Sequence, residues 1–295
     1  MESTPDKIRY YSETIQQLWE LMNPCTLCPW QCKVHRSRGA VGFCGINDLP
    51  LVSSVGPHFG EESVLVGSGG SGTIFFAGCN LGCIFCQNYD ISHQRNGRKV
   101  TIGQLADSML ELQGTGCSNI NFVTPTHVIP AIAAAIELAR KRGLTLPTVY
   151  NTGGYDSVET LKLLEGMIDI YMPDMKYSDS KVAGELSAAP DYPEINFAAV
   201  KEMHRQVGDL KTEKGLATRG LLVRHLVLPE NLAGSFKIID FLAKEISPKT
   251  TINVMAQYRP CYHAFSNSKI NRRSTIEEVT SAKQYAIQKG LIVLD

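Results

Sequence analysis

From residue 73 onward the sequence changes its hydrophobic period at nearly regular intervals, and that alternation constrains the fold more than any single motif. Short runs rich in β-branched and aromatic residues occur at 73–77, 118–125, 146–155, 168–177, 220–229 and 251–260. Between and after them lie stretches with apolar residues at helical spacing: 101–113, 127–143, 157–167, 233–246 and 275–290. Thr101 with Gln104, and Asp156 with Glu159, have the spacing of helix N-terminal caps. Six strands alternating with helices predict a parallel sheet covered by helices. Six units fit a partial (β/α)6 barrel better than the closed eight-unit form, with a doubly wound open sheet as the alternative. In either arrangement ligands gather beyond the C-terminal ends of the strands.

Ahead of this region, Ile8, Tyr11, Ile15, Leu18 and Met22 predict an amphipathic helix over 7–22. The glycine-rich run 67–72 lacks the Lys-Ser/Thr of a phosphate loop and precedes a strand, so it reads as a flexible hinge. The expected organisation is therefore an N-terminal helix and cysteine-rich extension over 1–66, then the barrel over 67–295. Residues 177–219 are a longer insertion with an amphipathic stretch and a polar loop.

Positive and negative side chains balance at 29 each, which gives no footprint of nucleic-acid or membrane-surface binding. No apolar run approaches a bilayer span and the first residues lack a signal-peptide core, so a cytoplasmic location is expected. In that reducing compartment clustered cysteines are metal ligands rather than disulfides. Seven of the nine cysteines form two groups, Cys25, Cys28, Cys32, Cys44 and Cys79, Cys83, Cys86. Cys117 and Cys261 read as small buried apolar residues.

Cys79-x3-Cys83-x2-Cys86 falls directly after the first strand of the alternation. Three thiolates on one loop suit an iron–sulfur cube that normally takes four, with one iron left open for an exogenous ligand. Zinc is the alternative, with a fourth ligand such as His93. The other group, Cys-x2-Cys-x3-Cys-x11-Cys, supplies a full set of four and leaves no open position. It suits either a tetrahedral zinc site or a second iron–sulfur cluster, and spacing alone does not separate them.

With Phe85 before its last cysteine, the three-cysteine motif resembles the signature of radical S-adenosylmethionine (SAM) enzymes. The segments 70–92, 121–127, 150–155, 169–177 and 220–229 together resemble the branch that contains pyruvate formate-lyase activating enzyme, and within it an uncharacterised subgroup. The resemblance implies a 4Fe-4S cluster on Cys79, Cys83 and Cys86 that cleaves SAM reductively to a 5′-deoxyadenosyl radical. By the same resemblance Phe85, Thr124, Asn151, Asp174, Lys176, Arg224 and Gln257 are expected around SAM.

In that branch an Asp-x-Lys ends the fourth strand and an Arg lies on the fifth, matching Asp174-Met-Lys176 and Arg224. His225 alternates to the other side of its strand. Two departures stand out: the second strand ends in Thr-Pro-Thr-His rather than a glycine-rich motif, and Gln257 stands where a His is common. The implied activity is activation or modification of a protein partner such as a glycyl-radical enzyme, with a flavodoxin- or ferredoxin-type reductant. Radical modification of a small molecule or peptide, and a non-catalytic electron-transfer protein, are the alternatives.

Overall fold

The computed structural model describes residues 8–294. Contacts group the chain into two compact units: residues up to 80, 90–150 and 156–168 in the first, and 81–89, 151–155 and 169 onward in the second. Among the described residues no helix is long and apolar enough to cross a membrane.

In the first unit, helix α1 (Glu13–Glu20) buries Ile15 and Leu18. It is shorter than the expected 7–22 span, and residue 7 lies outside the described residues. Residues 9–11, 21, 23 and 24 form turns and bends instead, flanking the helix at both ends. Strands β1 (Leu51–His58), β2 (Ser71–Phe76), β3 (Arg98–Lys99), β4 (Ile120–Val123) and β5 (Thr148–Thr152) follow. β1 runs antiparallel to β2 and to β3, whereas β2 and β4 are parallel. The antiparallel β1 was not expected from the sequence.

The glycine-rich run is not a hinge. Ser71 and Gly72 open β2 and are buried, and Gly72 pairs with both Pro57 and Ile120. A Cβ at Gly69 would overlap the carbonyl oxygen of Gly116, so close packing rather than flexibility calls for glycine here.

Helices α2 (Ile102–Gly114) and α3 (Ile129–Lys141) pack against each other, and α1 packs on α3. α2 begins with a complete capping box, Thr101 to the Gln104 amide and Gln104 back to the Thr101 amide. The next cap differs from expectation: Ser157, not Asp156, caps α4 (Val158–Lys162). Asp156 is drawn inward instead, its Oδ1 accepting from Thr126 Oγ1 at 2.7 Å and Tyr150 OH at 2.8 Å. Ile74, Phe76, Ile120, Phe122 and Val149 form the apolar interior. Each such side chain contributes roughly 1.5–3 kcal/mol by leaving water.

The second unit holds β6 (Ile170–Pro173), β8 (Leu216–Leu226), β9 (Thr251–Met255) and β10 (Ile292–Leu294), all parallel, in the order β6-β8-β9-β10. The short strand β7 (Lys211–Glu213) pairs antiparallel with β8. The 177–219 insertion is thus structured: α5 (Ser180–Ser187), α6 (Tyr192–Val207), and a β7–β8 hairpin at the polar loop. Helix α7 (Ser235–Phe241) continues into a π turn, and α8 (Ile276–Gln288) carries a second capping box, Thr275 with Glu278. Leu222, Val223, Ile238 and Ile252 are buried between strands and helices.

Candidate functional site

The three-cysteine loop leaves β2 through Ala77 and Gly78. Cys79 and Cys86 are partly exposed, and Cys83 is buried. In the second unit the chain around Cys83 is laced to the end of α5, with Gly82 N donating to Ser187 O and Ile84 N to Leu186 O. That register brings Ser187 Oγ within 2.9 Å of the Cys83 sulfur, to which it donates. With its own proton committed there, Ser187 Oγ accepts from Tyr177 OH at 2.6 Å. Burial pushes the Cys83 thiol up; the Lys176 ammonium opposes this and Cys86 adds to it. A thiol so placed stays neutral until a metal cation replaces its proton, so the donor set fits a thiolate-bound cluster.

Asp174, Lys176 and Arg224 come together beyond the ends of β6 and within β8. Lys176 Nζ lies 2.6 Å from Asp174 Oδ2, and Arg224 Nε lies 3.0 Å from Asp174 Oδ1. Burial alone would raise the Asp174 carboxyl, but Lys176 and Arg224 hold it below the ordinary carboxylate value. Lys176 is moved the other way. Burial opposes its charge, yet Asp174 and then Cys83 raise it well above the usual ammonium value. Two cations thus flank one carboxylate, and Lys176 is electrostatically linked to a motif cysteine. Such a set favours a further anionic group.

The backbone of this corner is held by α6. Tyr192 OH shares its proton between Gly153 O (2.8 Å) and Asp174 O (2.9 Å), while Asn196 Nδ2 donates to Gly154 O and Asp174 O. Gly154 has φ +77°, and a Cβ there would overlap Asp174 O and the Asn196 amide. The approach of the chain's own backbone is therefore enough to require glycine at 154.

The remaining expected ligands lie in varied settings. Asn151 is buried at the end of β5. Phe85 is also buried, edge-on to Tyr177 and Tyr258 at 6.5 and 5.8 Å. Gln257 is exposed, its carbonyl accepting from Gln87 Nε2. Thr124 belongs to the first unit and has the left-handed φ of +60°. His225 points away from Arg224, as strand alternation requires. Its Nδ1 lies 2.7 Å from Met175 O and its Nε2 2.8 Å from Ser235 Oγ, and burial drops its pKa to about 4. Cys117 and Cys261 are buried.

The four-cysteine group lies wholly within the first unit. Cys25 N donates to Val34 O and Lys33 N to Cys25 O, folding the segment so that Cys32 returns toward Cys25. The Trp30 amide donates to the Cys28 sulfur and the Phe43 amide to Cys32, while the Cys44 thiol donates to Ile46 O at 3.9 Å. Burial pushes the Cys28 thiol up to about 12; the Trp30 amide counters this, and charge on Cys44, Cys25 and Cys32 would push further. Four sulfurs that repel one another as thiolates, Cys28 and Cys32 among them met by N–H donors, are satisfied by a shared cation. Among the described residues no group of three or more His, Cys, Asp or Glu side chains is drawn in to the spacing of a single ion.

Sequence reasoning missed Ser187, Tyr177, Tyr192 and Asn196 as supporting residues, and Trp30 and His127 on the other side. Trp30 Nε1 donates to Asn80 O at 2.8 Å, and His127 Nε2 donates to Ala77 O at 2.9 Å. The available signal was position: Trp30 stands between Cys28 and Cys32, and His127 closes the Thr-Pro-Thr-His that departs from the family pattern.

A family model described as the Radical SAM superfamily matches residues 73–242. An uncharacterized protein of Methanocaldococcus jannaschii, MJ0674, is 34% identical over 276 residues, covering 90% of this chain and 75% of that protein. A radical SAM methyltransferase from Sphaerobacter thermophilus superposes with a TM-score of 0.51 at 14% identity, over 75% of this chain and 65% of that one. Streptococcus suis SuiB bound to S-adenosylmethionine gives 0.52 at 13%, over 73% and 47%. The chain thus spans less than two thirds of either solved chain, and likeness at such identity speaks for the fold alone, that of the partial barrel expected above. Because the family model takes in more than half of the residues, the three-cysteine loop included, the chain belongs to the radical SAM superfamily.

Proposed function

We propose that this protein cleaves SAM to modify a protein or peptide partner, in the manner of the activating-enzyme branch its motifs resemble. Superfamily membership implies SAM cleavage at an iron–sulfur cluster. When bound at Cys79, Cys83 and Cys86, that cluster supplies the electron that splits SAM into methionine and a 5′-deoxyadenosyl radical. The chain's own part is to hold and orient. Ser187, backed by Tyr177, directs a proton at the Cys83 sulfur; Lys176 and Arg224 present cationic heads to a ligand carboxylate; Tyr192 and Asn196 fix the backbone that carries them.

The observation that carries this reading is the two-cation, one-carboxylate set electrostatically linked to Cys83. It suits a ligand that brings a carboxylate to the cluster. The partner is proposed to be a glycyl-radical enzyme or a peptide segment, and the reductant a flavodoxin- or ferredoxin-type carrier. At Cys25, Cys28, Cys32 and Cys44 we place a closed metal centre, zinc or iron–sulfur. Metal analysis on anaerobic protein separates these: about four irons per chain for one cluster and about eight for two.

The test is anaerobic reconstitution followed by reduction, with and without SAM. The reading expects a cluster EPR signal that changes on adding SAM, with 5′-deoxyadenosine formed. An unchanged spectrum without product would overturn it. Adding a glycine-bearing partner segment should then produce a glycyl-radical doublet. Product without that doublet would redirect the substrate to a small molecule.

A further inference from the structure

Three consecutive points around Cys79 are held from outside its loop. His127 Nε2 holds the carbonyl of Ala77, and Trp30 Nε1 holds the carbonyl of Asn80. Between them Gly78, at φ +82°, lies so close to the four-cysteine segment that a Cβ would stand 2.8 Å from Cys44 O and 2.7 Å from Ile46 Cγ1. Backbone bonds from Ala77 N to Leu51 O and from Gly78 N to Ile91 O hold the same limb, and two of its supports come from the four-cysteine group itself. Cys44 is one of its members. Trp30 lies two residues after Cys28, gives its amide to the Cys28 sulfur, and stacks on Phe43 at 4.1 Å. Phe43 in turn gives its amide to Cys32.

The third support is fixed in a different way. His127 is fully buried and pushed down to about 4, so it is neutral, with its proton on the nitrogen that faces Ala77 O. It is a constant donor at ordinary pH.

We propose that the four-cysteine centre is a positioning device for the radical cluster. Metal bound to Cys25, Cys28, Cys32 and Cys44 fixes Trp30 and the Cys44 carbonyl, and these clamp the Ala77–Asn80 limb that presents Cys79. The device works equally with zinc or with an iron–sulfur cluster, because it needs closure of the four thiolates and not electron flow. An empty centre frees the Trp30 indole and the Cys44 backbone, and the Cys79 limb is left with its bonds to His127, Leu51 and Ile91. The inference rests on the reading that both cysteine groups hold metal, but not on SAM cleavage.

The test follows the three-cysteine cluster in protein without SAM. Trp30→Phe keeps the stack on Phe43 and removes only the donor to Asn80. His127→Leu removes the donor to Ala77, and His127→Gln restores one. Cys28→Ser/Cys44→Ser empties the N-terminal centre. Metal content, the EPR lines of the reduced cluster and the rate of iron loss to a chelator are read for each.

The expected result is a several-fold faster loss of iron from the three-cysteine site in Trp30→Phe, with the N-terminal metal retained. His127→Gln is expected to lie closer to wild type than His127→Leu, and the double serine variant to show the largest change. EPR lines and iron retention identical to wild type in Trp30→Phe would overturn the proposal, even if the double variant fails to fold. A wild-type spectrum indifferent to SAM would sink the SAM-cleaving reading while leaving this comparison of variants intact.

Discussion

The two cysteine groups solve the problem of a buried thiol in opposite ways. In the four-cysteine group the donors that meet sulfur are backbone amides, from Trp30 and Phe43. At Cys83 the donor is a side-chain hydroxyl, Ser187, with Tyr177 behind it and Lys176 and Asp174 within electrostatic reach. Amides are fixed by the path of the chain and suit a centre that closes once. Hydroxyls and charged side chains can be tuned, and a set of two cations and one carboxylate can respond to a ligand. Chemistry is therefore expected at the second group and support at the first.

The sharpest way to break that contrast is Cys83→Ala. It should abolish 5′-deoxyadenosine formation while leaving the N-terminal metal in place; product at wild-type rate, measured chromatographically, would move the chemistry elsewhere. The second test uses the two buried histidines, one in each unit. His127 and His225 are both depressed to about 4, chiefly by burial, from an ordinary 6.5. The unfolded chain therefore binds more protons than the folded one between those values. Stability is full above pH 6.5 and falls as pH drops toward 4, by on the order of 3 kcal/mol for each histidine. Unfolding midpoints measured across that window should fall, and a Gln at either position should flatten its share of the slope.

Lys176→Ala tests the Lys176–Asp174–Arg224 set. Loss of a charge-assisted bond should weaken SAM binding by about 1–3 kcal/mol, read by calorimetry on reconstituted protein. Unaltered affinity would reduce the set to a structural ion pair. The smallest expected effect is at Ser187→Ala. Removing one donor from a cluster thiolate should lower the potential by about 20–60 mV, taking roughly 0.5–1.5 kcal/mol for the bond. A redox titration of the three-cysteine cluster measures it, and a shift of equal size in the N-terminal centre would erase the distinction between the groups.

Much of the fold was legible because it is written locally. The period changes gave the parallel strands, and the capping boxes at Thr101 and Thr275 mark where α2 and α8 begin. β1 was not legible: Leu51–His58 is largely solvent-facing, contains Gly56-Pro57, and owes its extended form to pairing with β2 and β3. The Asp156 cap failed for a related reason, since Tyr150 and Thr126 compete for the carboxylate and win.

At the site, the cysteines and the Asp-x-Lys were visible as spacing, whereas their neighbours were not. Ser187 is 104 residues from Cys83 and Trp30 is 50 from Asn80, and neither sits in a pattern that marks it. Such partners are set by tertiary packing, which no local period records.

The chain has only two tryptophans, Trp19 and Trp30. Trp30 lies flat on Phe43, with its amide on one sulfur and its indole tied to the loop of Cys79. Its emission is therefore a built-in optical gauge of occupancy at the N-terminal thiols. With Trp19 silenced by substitution, titrating metal into the apoprotein would turn the loading of one centre into a colour-free, single-residue light signal.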